Sequence, residues 1–150
     1  MKNVKTDILT AGLKKQQAII ADFRQRISDV MQAEDGSQKE EFDNFHQTFT
    51  SGALAEVNIL NNEIEFANHE LEEMRRIDCE LPHERAEYGA VVKTDRKTFF
   101  VSASLEDFDV DDKHYFGISV HSPLYYAMKG KKAGDCFKTR NVEYMIQEIY

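Results

Sequence analysis

Five carboxylates crowd the stretch "AEDGSQKEEFDN", where Glu34, Asp35, Glu40, Glu41 and Asp43 surround a Gly-Ser pair. Glu40 and Asp43 are three residues apart, a spacing that places both on one side of a helix's first turn. Clustered carboxylate oxygens are the hard ligands that magnesium prefers, which makes Glu40, Glu41 and Asp43 the first candidates for chemistry. The helix dipole alone also favours acids at a helix N-terminus, so the cluster has a purely structural reading beside the chemical one. Other chemistry-bearing residues are scattered. His46, His69, His83, His114 and His121 form no HExxH or other ligand spacing, and the serines of "VSAS" and "HSPL" lack a nucleophile-elbow context. No GxGxxG or Walker pattern occurs. An independent active site finds no support in the sequence.

The elements that must position the acidic cluster follow from periodicity. From Leu9 the stripe runs through Leu13, Gln16, Ile20, Phe23, Ile27 and Val30 in alternating steps of four and three, the heptad pattern of a helix that buries one seam. Gly36 and Ser37 are expected to stop this helix, with Ser37 and Glu40 forming a capping box for the next. The stripe resumes at Phe42, His46, Phe49, Ala53, Val57, Leu60, Ile64, Ala67, Leu71 and Met74. Two heptad helices joined by a short turn should pack antiparallel, because each finds its nearest partner in the other. Residues 1–80 are therefore expected to form a coiled-coil hairpin with the acidic cluster at its tip.

Pro82 closes the helical pattern, and beyond it the period changes to two. The segments "YGAVVKT", "KTFFVSAS", "HYFGISV" and "VEYMIQEIY" read as strands, with a hairpin turn at Asp95 and Arg96 and a polar connection at "LEDFDVDDK". One short helix stands among them: Ser122 suits its cap, Pro123 its first turn and Gly130 its exit. Residues 84–150 thus read as a small antiparallel β lobe, and the whole chain as α+β. The aromatic residues Tyr88, Phe99, Phe100, Tyr115, Phe116, Tyr125 and Tyr126 are expected to supply the lobe's core and a docking surface.

Charge and composition bound the function. Of 150 residues, 41% are hydrophobic and 31% charged, which suits a folded protein with a large solvated helical surface rather than a disordered chain. A net charge of -8 argues against direct attraction to nucleic-acid phosphates. Residues 1–83 hold 9 basic and 16 acidic groups, a net of -7, whereas residues 84–150 hold 10 and 11, a net of -1. The helices carry the negative charge. No apolar run reaches the roughly 18 to 20 residues of a bilayer span, and "MKNVKTDILT" has no continuous apolar stretch of a secretory signal, so a cytoplasmic location is expected. Cys79 and Cys136 stand apart from any ligand or disulfide spacing and are expected to be reduced thiols.

The segment "HSPLYYAMKGKKAGDCF" carries a resemblance. Ile118, Ser119, Ser122, Pro123, Leu124, Ala127, Gly130, Lys131, Gly134 and Asp135 fit the pattern I-S-x-x-S-P-L-x-x-A-L-x-G-K-x-x-G-D, with Met128 in place of the usual leucine. This resembles the FKBP-like C-terminal domain of the Gre family of bacterial transcription elongation factors, and the chain order, helical hairpin then β lobe, is similar too. The resemblance implies that the lobe binds RNA polymerase, with Ser122, Pro123, Leu124, Lys129, Lys131 and Lys132 at the contact, while the hairpin enters the secondary channel. It further implies no metal held by this chain alone, but a magnesium ion shared with the polymerase active centre and an indirect effect on the RNA 3′ end. The D-L-x-E-N type tip motif of the cleavage-stimulating members is missing here. Stimulation of transcript cleavage, occupation of the channel without cleavage, and an adaptor role toward another protein are the functional alternatives.

Overall fold

The computed structural model describes residues 3–38 and 51–150. Helices α1 (Val4–Gln38) and α2 (Ser51–Arg75) precede strands β1 (Val91–Thr94), β2 (Thr98–Val101), β3 (Glu106–Val110) and β4 (Lys113–Ile118), helix α3 (Pro123–Met128), and strands β5 (Cys136–Thr139) and β6 (Val142–Ile149). Two long helices followed by a mainly antiparallel sheet with one short helix is the α+β class expected from the sequence. No described helix is long and apolar enough to cross a membrane. Cys79 and Cys136 are free thiols, the first half-buried and the second exposed.

The helical stripes are the inward faces. Leu9, Gln16 and Ile20 are buried on α1, and Ala53, Val57, Leu60, Ala67, Leu71 and Met74 on α2. α1 continues through Gly36 and Ser37 to Gln38, past the expected stop. One glycine costs a helix only about 1 kcal/mol relative to alanine and does not by itself end it. Phe42, His46 and Phe49 lie outside the described residues. The chain divides into two compact units, one made of Met1–Gln16 with Glu70–Tyr150 and the other of Gln17–His69.

Within the first unit, the start of α1 meets the segment that follows α2. The Asn3 side-chain amide donates to the Cys79 carbonyl at 3.1 Å, while its oxygen accepts from the Lys5 amide at 2.9 Å and so caps α1. The buried Lys5 ammonium donates to the Leu81 carbonyl at 3.3 Å. Burial pulls the Lys5 pKa down, since desolvation disfavours the charged form.

The sheet has the order β3-β4-β2-β1-β6-β5. Its pairs are antiparallel except β2 with β4, which run parallel, a departure from the purely antiparallel expectation. The parallel pair arises because the chain leaves β2, passes over β4, and only then forms β3 on the outer side. A close approach makes this crossing possible: a β-carbon on Gly117 of β4 would lie 2.5 Å from Leu105 Cβ and 2.7 Å from the Ala103 carbonyl oxygen. The segment expected as a polar connection is strand β3, paired with β4 from Glu106–Gly117 to Val110–Lys113. Its two-residue turn uses Asp111 and Asp112 at φ 50° and 65°, the left-handed conformation that tight hairpins need and that aspartate tolerates.

Both faces of the central strands are covered, which explains why Val91, Val92, Phe99, Phe100 and Val101 are buried without alternation. One face packs Val92, Phe99, Val101, Ile118 and Ile146 against Tyr125 and Met128 of α3 and against Phe137. On the other face a β-carbon at Gly12 of α1 would lie 3.3 Å from Leu105 Cδ1, 3.4 Å from Met74 Cε and 3.6 Å from Phe100 Cε2, so α1 approaches the sheet closely there. Each large side chain buried in these layers contributes roughly 1.5–3 kcal/mol.

Candidate partner-binding surface

Helix α3 forms because its start is capped twice over. Ser122 has extended backbone angles, φ -80° and ψ 148°, and its hydroxyl accepts from the Tyr125 amide at 3.2 Å. The same hydroxyl donates to the Ser119 carbonyl at 2.8 Å, and Ser119 Oγ accepts from the His121 amide at 3.1 Å. Pro123 occupies the first turn, where the missing amide hydrogen costs nothing. Tyr125 and Met128 anchor the helix in the core while Tyr126, 62% exposed, points to solvent. The aromatic set therefore divides: Phe99, Phe100, Tyr115 and Tyr125 are core, Phe116 and Tyr88 are half-buried, and Tyr126 is surface.

The exit is held as firmly. Gly130 has φ 74°, a conformation without penalty only for glycine. Its amide donates to the Ala86 carbonyl at 2.9 Å, and the Ala86 amide returns a bond to the Lys131 carbonyl at 2.9 Å. The Asp135 carboxylate accepts from the Lys132 amide at 2.9 Å and the Asp135 amide donates to the Lys132 carbonyl at 3.0 Å. The junction after Pro82 is thus stitched to the basic turn, and these hydrogen bonds hold the backbone at Lys129, Lys131 and Lys132. Lys129 and Lys132 are exposed and Lys131 is half-buried. None of the three makes an ion pair among the described residues.

The six candidate contact residues fall into two groups at the two ends of α3. Ser122, Pro123 and Leu124 line a groove of about 410 Å³ together with Lys97, Arg140 and Tyr144. The three lysines lie beyond the other end, where Arg85 joins them by donating to the Gly130 carbonyl at 3.0 Å. Lys97 and Arg140 at the groove, and Arg85 at the turn, are cations that sequence reasoning did not select. Lys97 Nζ sits 4.5 Å from the centre of the Phe116 ring, and Arg140 occupies the β5–β6 turn at φ 50°. Their only sequence signal is proximity to hairpin turns, and nothing in the linear order joins them to Ser122.

Glu40, Glu41 and Asp43 lie outside the described residues. Among the described residues no group of three or more His, Cys, Asp or Glu side chains could hold a metal ion.

A different electrostatic arrangement lies behind the basic turn. His83 is buried and its Nδ1 lies 2.5 Å from Glu87 Oε1. The Tyr88 hydroxyl is buried with no hydrogen-bond partner. Its pKa is pushed up to about 12, first by burial and then by Glu73 and Glu70.

With this geometry in hand, comparison with known proteins gives one outcome. The chain is similar to Gfh1. A crystal structure of GreA factor homolog 1 (Gfh1) of Thermus thermophilus aligns with 17% sequence identity and a TM-score of 0.34, covering 93% of this chain and 95% of that one. A structure of the transcription factor Gfh1 aligns with 21% identity and a TM-score of 0.34, covering 93% and 94% of the two chains. No family model matches the sequence, and no curated protein sequence matches it.

Proposed function

We propose that this protein is a Gre-like transcription factor that binds bacterial RNA polymerase through the surface around α3 and places its helical hairpin in the secondary channel. The observation that carries this reading is the folding of residues 118–135 as one unit, with Ser122 capping α3 and the Asp135 carboxylate closing the basic turn. The residues that match the Gre pattern are the ones that make this device, and Pro123, Lys129 and Lys132 stand exposed on it. The charge division agrees: the acidic half is the hairpin, which suits a positively lined or metal-bearing channel.

The protein acts through its partner. In this reading the polymerase supplies the RNA end and one magnesium ion, and the tip carboxylates Glu40, Glu41 and Asp43 help hold a second ion. Two divalent ions would activate water and stabilise the phosphoryl transition state. The test is RNA cleavage in a purified, backtracked elongation complex, comparing wild type with Glu40→Ala/Glu41→Ala/Asp43→Ala at matched occupancy on the polymerase. Stimulation lost in the variant supports the metal role. Binding without stimulation in the wild type makes the protein a channel-occupying regulator, the outcome favoured by the missing D-L-x-E-N type motif.

A second reading rests on α2, where Leu54, Ile59 and Phe66 are 49%, 60% and 49% exposed. Large apolar side chains on a helix surface suit an adaptor that docks another protein. Failure to bind core polymerase, with the fold intact, would favour that role.

A further inference from the structure

Helix α2 carries a second stripe that its own fold leaves open. Ala53, Val57, Leu60 and Ala67 are buried and Ile64 is half-buried, and together they form the helix's inward face. Two residues after each of them stands an exposed one: Ala55, Ile59, Asn62, Phe66 and His69. At 3.6 residues per turn, a shift of two residues is a rotation of about 200°, so the second stripe lies on the opposite side of the helix. Its steps are four, three, four and three, the spacing of a coiled-coil seam. A lone exposed apolar side chain is ordinary on any surface. Here Ile59 and Phe66 are both exposed at equivalent seam positions, with Asn62 between them. A single polar residue within an apolar seam is the device by which coiled coils fix register and partner number.

The flanks indicate what kind of partner fits. Beside this seam lie Glu56 and Glu63 on one side, and Asn58 and Glu65 on the other. In a coiled coil these are the positions whose charges choose the partner. Residues 51–69 contain these three glutamates and no lysine or arginine. All three are exposed, and none makes an ion pair among the described residues. A second copy of this chain would set glutamate against glutamate along the seam, which like-charge repulsion disfavours. Complementary charge requires a helix with lysine or arginine at the facing positions.

We propose that the outer face of α2, from Ala55 to His69, binds a basic amphipathic helix of a partner protein. The partner's apolar stripe would lie on Ile59 and Phe66, and its cations against Glu56, Glu63 and Glu65. This rests on the adaptor reading of α2, to which it adds the partner's chemistry, and it does not depend on the α3 surface.

The test is fluorescence anisotropy of two labelled synthetic peptides, each of about three heptads, titrated with the full chain. Both carry isoleucine and leucine in the seam; one has lysine at every flanking position and the other glutamate. Saturable binding of the lysine peptide is expected, at least about tenfold tighter than that of the glutamate peptide. Ile59→Ser/Phe66→Ser should weaken it about tenfold or more, and Glu56→Lys/Glu63→Lys/Glu65→Lys should reverse the preference between the peptides. Every substituted side chain is exposed, so these changes leave the core intact. Equal binding of both peptides would overturn the basic partner and leave the adaptor reading in place, whereas binding of neither would overturn both. An affinity unchanged in Ile59→Ser/Phe66→Ser, or a preference unchanged in the triple reversal, would put the peptide elsewhere and defeat the proposal. So would sedimentation of the wild type as a dimer that Ile59→Ser/Phe66→Ser dissociates, since the seam would then belong to a second copy.

Discussion

Leu105 occupies the space that any side chain on Gly117 would need, since a β-carbon there would fall 2.5 Å from Leu105 Cβ. This contact lets the chain cross β4 on its way from β2 to β3, and so fixes the one parallel pairing in the sheet. Both residues are buried, and the Leu105 amide donates to the Gly117 carbonyl at 3.3 Å. Gly117→Ala must push the crossing away from the sheet, at an expected cost of about 2–3 kcal/mol. Urea unfolding of the full chain measures it; a midpoint equal to wild type would show that the crossing gives way freely.

Ser122 holds α3 through two hydrogen bonds from a single hydroxyl. Ser122→Ala should cost about 1 kcal/mol, and the loss should be local. Hydrogen exchange at the Tyr125 amide, which loses its acceptor, should accelerate while amides of β1 and β2 keep their protection. Uniform acceleration across the sheet, or none anywhere, would contradict a capping role.

The Tyr88 hydroxyl is buried without a partner, so Tyr88→Phe removes an unpaired polar atom and keeps the ring. Stability at pH 7 should stay equal or rise by up to about 1 kcal/mol. The pH dependence has a definite sign. Because the folded pKa stands near 12, above the model-peptide value of 10.0, the folded state holds the proton where the unfolded chain releases it. The group's contribution is therefore complete below pH 10 and is lost as pH rises from there toward 12. Tyr125, Tyr115 and Tyr150 are raised as well and add to the same alkaline loss. Denaturant titrations of wild type and Tyr88→Phe between pH 8 and about 12 should show the variant declining less steeply; parallel curves would contradict the assignment.

How far the sequence could be read depends on how many partners each element has. The heptad spacing alone identifies Ile20, Val57, Leu60 and Leu71 as buried. Lys5, Ile8 and Gly12 are buried too, off that stripe. The contacts of Gly12 show why: this end of α1 packs on the sheet as well as on α2, and a single periodicity records a single partner. β3 was hidden by its acids, yet Phe108 and Val110 alternate with them and an Asp-Asp turn follows. The α3 device was fully legible because cap, first-turn proline and exit glycine are local signals. Lys97 and Arg140 were not, because the groove they share with Ser122 exists only after β2 and the β5–β6 turn are brought together.

The proposed function requires the α3 surface to be a polymerase contact. The most direct measurement is equilibrium binding of the labelled full chain to bacterial core RNA polymerase, comparing wild type with Lys129→Glu/Lys132→Glu. Lys138→Glu, an exposed charge reversal on β5, serves as the control. Saturable binding is expected, weakened about tenfold or more by the double reversal and changed little by the control. No binding by the wild type, or equal affinity for all three proteins, would contradict it.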